Sequence, residues 1–290
     1  MDLADYLYNK SFGKHINWQA PEDLNQWINW LEFKSDTTDW SLLADKYKVR
    51  EYIIAKGYSD NLVPLLATWD NPNIINFENL PQEFVLKINN GSGDVRIVKD
   101  KSKIDVNEVK TYFNRLFKKP FGEDTAEPHY LKIKPLIIVE QLLDVNKQTV
   151  KSSSLIDYKL WCFNGVPYCF FVCSNRTKEH FNIDLYSAKD WKRIEEGNLI
   201  YNNIHRKNQI PIIKPAGFSE MLKIASVLSY GYAQMRVDFY EVDGWIYIGE
   251  LTLSSACGRM DYFTEKFLIK MGALCRDAVE NIRIEELDLR

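Results

Sequence analysis

The chain lacks any excess of basic residues: 37 lysines and arginines stand against 40 acids, a net charge of −3 in 290 residues. No positive field offsets phosphate repulsion, so nucleic acid is excluded as a partner. It lacks long apolar runs; nothing approaches the roughly eighteen consecutive apolar residues of a spanning helix, so no transmembrane segment is expected. The first residues, MDLADYLYNKSFGK, have no basic region leading into an apolar run. That argues against a secretory signal and for a cytoplasmic protein. Cysteine is sparse: Cys162, Cys169, Cys173, Cys257 and Cys275 are odd in number and scattered, which fits reduced thiols. The four histidines show no metal-ligand spacing, and no Asp-x-Asp sugar-nucleotide signature occurs.

What is present is an ordinary soluble composition, 46% hydrophobic and 27% charged, long enough for a large core and two subdomains. Aromatics reach 13%, and Trp18, Trp27, Trp30 and Trp40 crowd the first forty residues, as helix packing or as a sugar-stacking platform. Leu24, Trp27, Ile28 and Leu31 recur at helical spacing in 21–34, and 39–56 predicts a second helix stopped by Gly57. A loop-rich passage with Pro64, Pro72 and Pro81 follows. Strands are expected at 84–88 and 95–99, a helix at 105–118, and a strand at 135–139 ended by Glu140. A hairpin spans 155–163 and 166–175 over Asn164-Gly165. Residues 177–215 read as polar and irregular. A helix at 217–231, a hairpin at 234–253 and a helix at 261–282 complete the chain. Single helices between hairpins predict an α+β fold with largely antiparallel sheets.

The most glycine-rich loop lies in FVLKINNGSGDVRIVKD, residues 84–100. It joins two strands. A P-loop or a dinucleotide fold needs a helix N-terminus behind the glycines, so both are excluded. Alternation puts Phe84, Leu86 and Ile88 on one face and Val85, Lys87 and Asn89 on the other. Lys87 beside amides freed by glycine suits a polyphosphate, but the segment taken alone favours a tight hairpin with a solvated lysine.

In MRVDFYEVDGWIYIGELTL, residues 235–253, Arg236, Asp238 and Tyr240 share a face, and Glu250 and Thr252 share one with Ile246 and Ile248. Turn length decides whether the polar sets meet. A two-residue turn at Asp243-Gly244 leaves Asp238 and Glu250 on opposite faces; a three-residue loop from Val242 brings them together. Converged, two carboxylates and a hydroxyl suit a hard cation such as Mg²⁺. The alternative is an Arg–Glu pair on a solvated face. In LIDYKLWCF, residues 155–163, Asp157 and Lys159 share a face; the Asn164-Gly165 turn adds Phe170, Val172, Ser174 and Arg176 to it. In IIVEQLLD, residues 137–144, a strand ends in an acid and could offer backbone groups to a flat base.

The order of these features resembles the ATP-grasp superfamily. They are D-K-x-x-x-R from Asp45 to Arg50, a strand lysine before a glycine-rich turn, V-E-x-x-L from Val139, and R-x-D followed by G-E-x-T. The best match is the TupA-like ATP-grasp family of bacterial surface-polysaccharide loci, over most of the chain. The resemblance implies two α+β subdomains whose antiparallel sheets clamp ATP, plus a helical N-terminal region. The expected boundaries are 1–80 for the helical region, 81–140 for the lid subdomain and 141–290 for the subdomain with the metal site. It implies that Lys87 and Arg50 hold ATP phosphates and that Asn89, Asn90, Gly91, Ser92 and Gly93 close over the triphosphate. Glu140, Gln141 and Leu142 would form the adenine hinge, Asp157 would reach the ribose, and Lys159 would lie near phosphate. Asp238, Glu250 and Thr252 would ligate Mg²⁺, with Thr252 where the superfamily commonly has asparagine. Arg236 would stabilise developing acyl-phosphate charge, and Arg176 and Arg259 are candidates for gripping the acceptor. The implied activity is an ATP-dependent carboxylate–amine ligase working through an acyl phosphate. It would couple an amino acid or small amine to a uronic acid of a capsular or other surface polysaccharide precursor. A kinase of a sugar or lipid hydroxyl, or a polysaccharide glycosyltransferase, is the alternative.

Overall fold

The computed structural model describes residues 1–119, 121–194 and 197–288, with side chains to 283. Pro120, Glu195 and Glu196, which fall in stretches expected to be irregular, lie outside the described residues. In chain order the elements are α1 (Asp2–Phe12), α2 (Leu24–Lys34), α3 (Trp40–Ala44), α4 (Val49–Ala55), β1 (Leu65–Trp69), β2 (Phe84–Ile88), β3 (Val95–Val98), α5 (Val106–Lys118), β4 (Ile137–Gln141), β5 (Asp157–Phe163), β6 (Val166–Ser174), β7 (Phe181–Ser187), β8 (His205–Lys207), α6 (Phe218–Ser229), β9 (Met235–Val242), β10 (Trp245–Thr252) and α7 (Glu265–Asp288). The fold is α+β, and among the described residues no helix is long and apolar enough to cross a membrane.

The chain divides into two compact units, Thr37–Leu143 and Met1–Asp36 with Asp144–Arg290. The helical stretch 1–80 is therefore shared between them. Its first part joins the second unit because Asn25 of α2 clamps the backbone of Met260, donating to its carbonyl at 3.2 Å and accepting from its amide at 2.9 Å.

In the first unit an antiparallel sheet runs β1-β4-β2-β3. Phe84, Leu86 and Ile88 pack with Val98, Ile137 and Val139 against Val109 and Phe113 of α5. Asp105 caps α5 by accepting from the amides of Asn107 and Glu108. Lys87 accordingly points from the sheet's other face. Two expectations are corrected here. Residues 39–56 form two helices, because the Asp45 side chain accepts from the amides of Tyr47 and Lys48 and restarts the chain. The loop-rich passage contains β1, which completes pairing along β4, and β4 runs through Glu140 to Gln141.

In the second unit the sheet order is β10-β9-β5-β6-β7-β8, antiparallel except for the parallel pair β7–β8. Residues 177–215, expected to be irregular, supply β7 and β8: buried Ile183 and Leu185 alternate with Asn182 and Asp184, whose polarity hides the strand in the sequence. One face of this sheet packs on α6, with Phe170 against Phe218 at 5.6 Å. The other face carries the site described next.

Candidate active site

The β9–β10 hairpin turns in two residues: Val242 pairs with Trp245, and Asp243 and Gly244 both adopt positive φ, 57° and 74°. The three-residue loop is not there. A β-bulge at Gly249 does its work instead. Ile248 pairs with Phe239 and Glu250 with Asp238, so the register slips by one residue between them. Ile246 and Ile248 stay on the α6 face, while Glu250 and Thr252 turn to the face of Arg236 and Asp238. A Cβ at Gly249 would lie 2.8 Å from the Tyr240 ring. Gly249→Val therefore pushes on Tyr240 or straightens the bulge. Overpacking of this kind costs about 1–3 kcal/mol, and we expect the unfolding midpoint, measured by differential scanning calorimetry, to fall by several degrees, about 2–4 °C per kcal/mol.

The β5–β6 hairpin has the expected Asn164-Gly165 turn, but its register also slips between Trp161 and Cys162. Asp157 then pairs with Cys173 and Lys159 with Phe171. The face of Asp157 and Lys159 carries Cys169, Phe171 and Cys173; Phe170, Val172 and Ser174, expected there, lie on the α6 face. Arg176, beyond the strand, does reach Asp157, at 3.1 Å.

Around Asp238 the contacts are dense. Arg236 donates to both its oxygens, Nε to Oδ1 at 2.6 Å and Nη2 to Oδ2 at 2.8 Å. Lys159, from the neighbouring strand, donates to Oδ2 at 2.6 Å and stands 3.7 Å from Asp157. Arg236 also donates to the hydroxyls of Thr252 at 3.0 Å and Ser255 at 3.3 Å, lies 3.9 Å from Glu250, and sits over the Trp161 ring. Burial pushes the Asp238 carboxyl up, but Arg236 and Lys159 outweigh it and hold it below the usual range. Burial likewise opposes the charge on Arg236 and Lys159; Asp238 raises the first, and Asp157 with Asp238 raises the second. Tyr240 is held well up by the Asp157 charge and by burial.

The residues expected to ligate Mg²⁺ are thus brought together on one face. Among the described residues no group of three or more acids, histidines or cysteines forms a complete cage. Two carboxylates and a hydroxyl fit a hard cation that takes its remaining oxygens from nucleotide phosphates and water. Glu250, with 29% of its side chain exposed, is the more open of the two carboxylates, and Asp238 already shares its oxygens with Arg236 and Lys159. Sequence reading overlooked Ser255 and Tyr262, whose ring stacks on Phe171 of this face. Both lie beyond the strand, where alternation gives no signal. Arg259 follows a left-handed turn at Ala256, Cys257 and Gly258, and its guanidinium contacts the Cys257 carbonyl.

In the other unit, β2 and β4 place Lys87 and Glu140 on one face, and Lys87 Nζ donates to Glu140 Oε2 at 2.5 Å. Arg50 of α4 lies 3.6 Å from Glu140 Oε1 and donates to the Val63 carbonyl. The two cations expected to hold phosphate thus share one buried carboxylate. The Glu140 backbone pairs with Val85 and Leu65 on either side, and the Gln141 amide donates to the Pro64 carbonyl, so Leu142 is the first of the three hinge candidates beyond the paired strand. In the glycine loop Asn89, Asn90 and Gly91 are buried, and Ser92 and Gly93 are exposed. The Asn89 amide group is committed to Asp45, the Lys134 carbonyl and the Leu136 amide. Lys46 donates to the Gly91 carbonyl. Lys46, overlooked although it stands in D-K-x-x-x-R, and Asn89 therefore fix the root of this loop.

No curated protein matches the chain. Three ligases of known structure are similar to it. D-alanine–D-alanine ligase of Bacillus anthracis is 15% identical, with a TM-score of 0.47 over 84% of this chain and 70% of that one. The same enzyme of Helicobacter pylori is 12% identical, with a TM-score of 0.47 over 88% and 66%. L-amino acid ligase of Bacillus licheniformis is 14% identical, with a TM-score of 0.46 over 87% and 55%. The chain spans about two thirds of the length of the first two and about half of the third. The TupA-like ATPgrasp family matches residues 26–276, which include both the Lys87–Glu140 face and the Asp238–Glu250 face. The chain therefore belongs to the TupA-like ATP-grasp family.

Proposed function

We propose that this ATP-grasp ligase joins a carboxylate to an amine through an acyl phosphate, and that the carboxylate is a uronic acid of a surface-polysaccharide precursor. The observation that carries the reaction is the bulge at Gly249, which turns Glu250 and Thr252 onto the buried face of Arg236 and Asp238. A transferring phosphoryl group asks a protein mainly for position and countercharge. Lys87 and Arg50 hold the ATP phosphates, with Leu142 at the adenine and Asp157 at the ribose. The substrate carboxylate attacks the γ-phosphate, ADP leaves, and the amine displaces phosphate from the acyl phosphate. Asp238, Glu250 and Thr252 would hold Mg²⁺, which would supply charge neutralisation for the phosphoryl oxygens. Arg236, fixed by Asp238, Thr252 and Ser255, meets the developing oxyanion without rearranging. The sugar assignment is supported by the family resemblance alone.

The same geometry makes a pH prediction. Asp238 is shifted down, and Arg236, Lys159, Tyr240 and Tyr262 are shifted up. None of these five changes charge between about pH 6 and 9. Mg·ATP binding should be flat over that window in calorimetric titrations, and a slope would locate a titrating group outside the five.

Incubation with ATP, Mg²⁺, nucleotide-linked uronic acids and pooled amino acids tests the function. Release of ADP and phosphate that depends on both acceptors is expected. Absence of release with every pair would sink the ligase reading, and phosphate retained on an acceptor would favour a kinase.

A further inference from the structure

Lys46 takes no part in the chemistry proposed for Lys87 and Arg50, yet it holds the glycine loop at two points. Its backbone amide donates to the Asn89 carbonyl at 3.1 Å, and its ammonium donates to the Gly91 carbonyl. Lys46 itself stands on a fixed corner between α3 and α4. There Asp45 Oδ1 accepts from the Tyr47 and Lys48 amides and, at 2.9 Å, from the Asn89 side chain. The half-buried lysine thus braces, from that corner, a carbonyl 45 residues along the chain.

Peptide planarity gives this bracing a direction. In a trans peptide the carbonyl and the next residue's amide point opposite ways, and among the described residues no peptide bond is cis. With the carbonyls of Asn89 and Gly91 drawn to Lys46, the amides of Asn90 and Ser92 are turned away from it. Among the described residues neither amide finds an acceptor. Gly93 follows in the left-handed region at φ 81°, and a Cβ at Gly91 would lie 3.0 Å from the Ile88 side chain. Glycine therefore stands where the loop bends and where it packs closely. Amides left unpaired in such a turn suit an anion.

We infer that Lys46 is a positioning residue for ATP, which aims the Asn90 and Ser92 amides at the triphosphate. The inference rests on the ATP reading given under the proposed function. It differs from a direct phosphate contact, because the Lys46 ammonium is committed to a carbonyl of the loop itself. Lys46→Met keeps the length of the side chain and removes the ammonium. Lys46→Arg keeps a charged donor for the Gly91 carbonyl.

Two measurements on the full chain test this. Without nucleotide, parent and variants are digested briefly with a nonspecific protease and the fragments are mapped by mass spectrometry. Lys46→Met should be cut within 89–94 about tenfold faster than the parent, and Lys46→Arg at close to the parental rate. Titration calorimetry then compares ATP with adenosine, which has no phosphate. Lys46→Met should weaken ATP about tenfold and leave adenosine unchanged, and Lys46→Arg should restore most of the ATP affinity. A lysine that only supports the fold would move both ligands together. Unchanged cleavage of the loop, or an equal change for ATP and adenosine, overturns the inference. Weakened ATP binding with parental loop cleavage overturns it as well, in favour of a direct contact with phosphate. A parent that binds no ATP removes the ATP reading itself, and the phosphate role of Lys46 with it, whatever the loop cleavage shows.

Discussion

Asp238→Asn is expected to stop ATP-dependent turnover and to lower stability in the absence of any nucleotide. Asp238 is 2% exposed and is the shared partner of Arg236 and Lys159. Removing its charge leaves, among the described residues, Arg236 with only Glu250 at 3.9 Å and Lys159 with only Asp157 at 3.7 Å as acidic partners, and breaking a buried pair of this kind costs about 3–5 kcal/mol. For a chain of this size that corresponds to a fall in the unfolding midpoint on the order of 10 °C. Turnover should drop by at least about a hundredfold, the scale for losing one preorganised charged group. The linkage has a definite sign. Because folding lowers the Asp238 pKa, its stabilisation is present above the unfolded value of about 4 and is lost as pH falls through the folded value. Parent and variant should therefore converge in stability at acid pH. An unchanged midpoint at neutral pH would show that the ion pairs do not support the fold, and unchanged ADP release would remove Asp238 from the site.

Lys87→Met should weaken ATP binding about ten- to a hundredfold, the range for a lost charged hydrogen bond of about 1.5–3 kcal/mol. It also leaves Glu140, 7% exposed, with Arg50 at 3.6 Å as its remaining cation. Two effects are therefore mixed in the single variant. Lys87→Met/Glu140→Gln separates them, because removing the orphaned charge should restore thermal stability while ATP binding stays weak. Recovery of both would make Lys87 a partner of Glu140 only, with no part in holding phosphate.

Much of this was legible in the chain. Alternation in 84–88 gave the correct core face and put Lys87 on the other, because a strand has a strict period of two. The same rule failed in both later hairpins. It assumes an unbroken ladder, and each hairpin holds a slip, at Gly249 in one and beside Cys162 in the other. A slip exchanges faces for every residue beyond it. Glu250 was thus expected beside Asp238 for the wrong reason, a longer turn, and Ser174 was put on the wrong face. The Gly249 bulge does leave a trace, a glycine directly before the acid. Its meaning depends on Tyr240 across the ladder, which single-strand periodicity does not register. The split of 39–56 is similar. Asp45 lies in a good helical pattern, yet its side chain bonds the next turn's amides and also holds Asn89, a partner 44 residues away. Long-range partners of this kind also bring Lys87 and Arg50 to the Glu140 side chain, contacts that the strand pattern of 137–141 does not register.

The central claim is a single reaction in which ATP joins a carboxylate to an amine. Mass spectrometry of the products from a panel of uronic acids and amines, with ATP and Mg²⁺, tests it most directly. The account predicts a product of mass equal to the two acceptors less water, formed together with equal amounts of ADP and free phosphate. A product carrying the phosphate, or a glycoside formed without ADP, would contradict it.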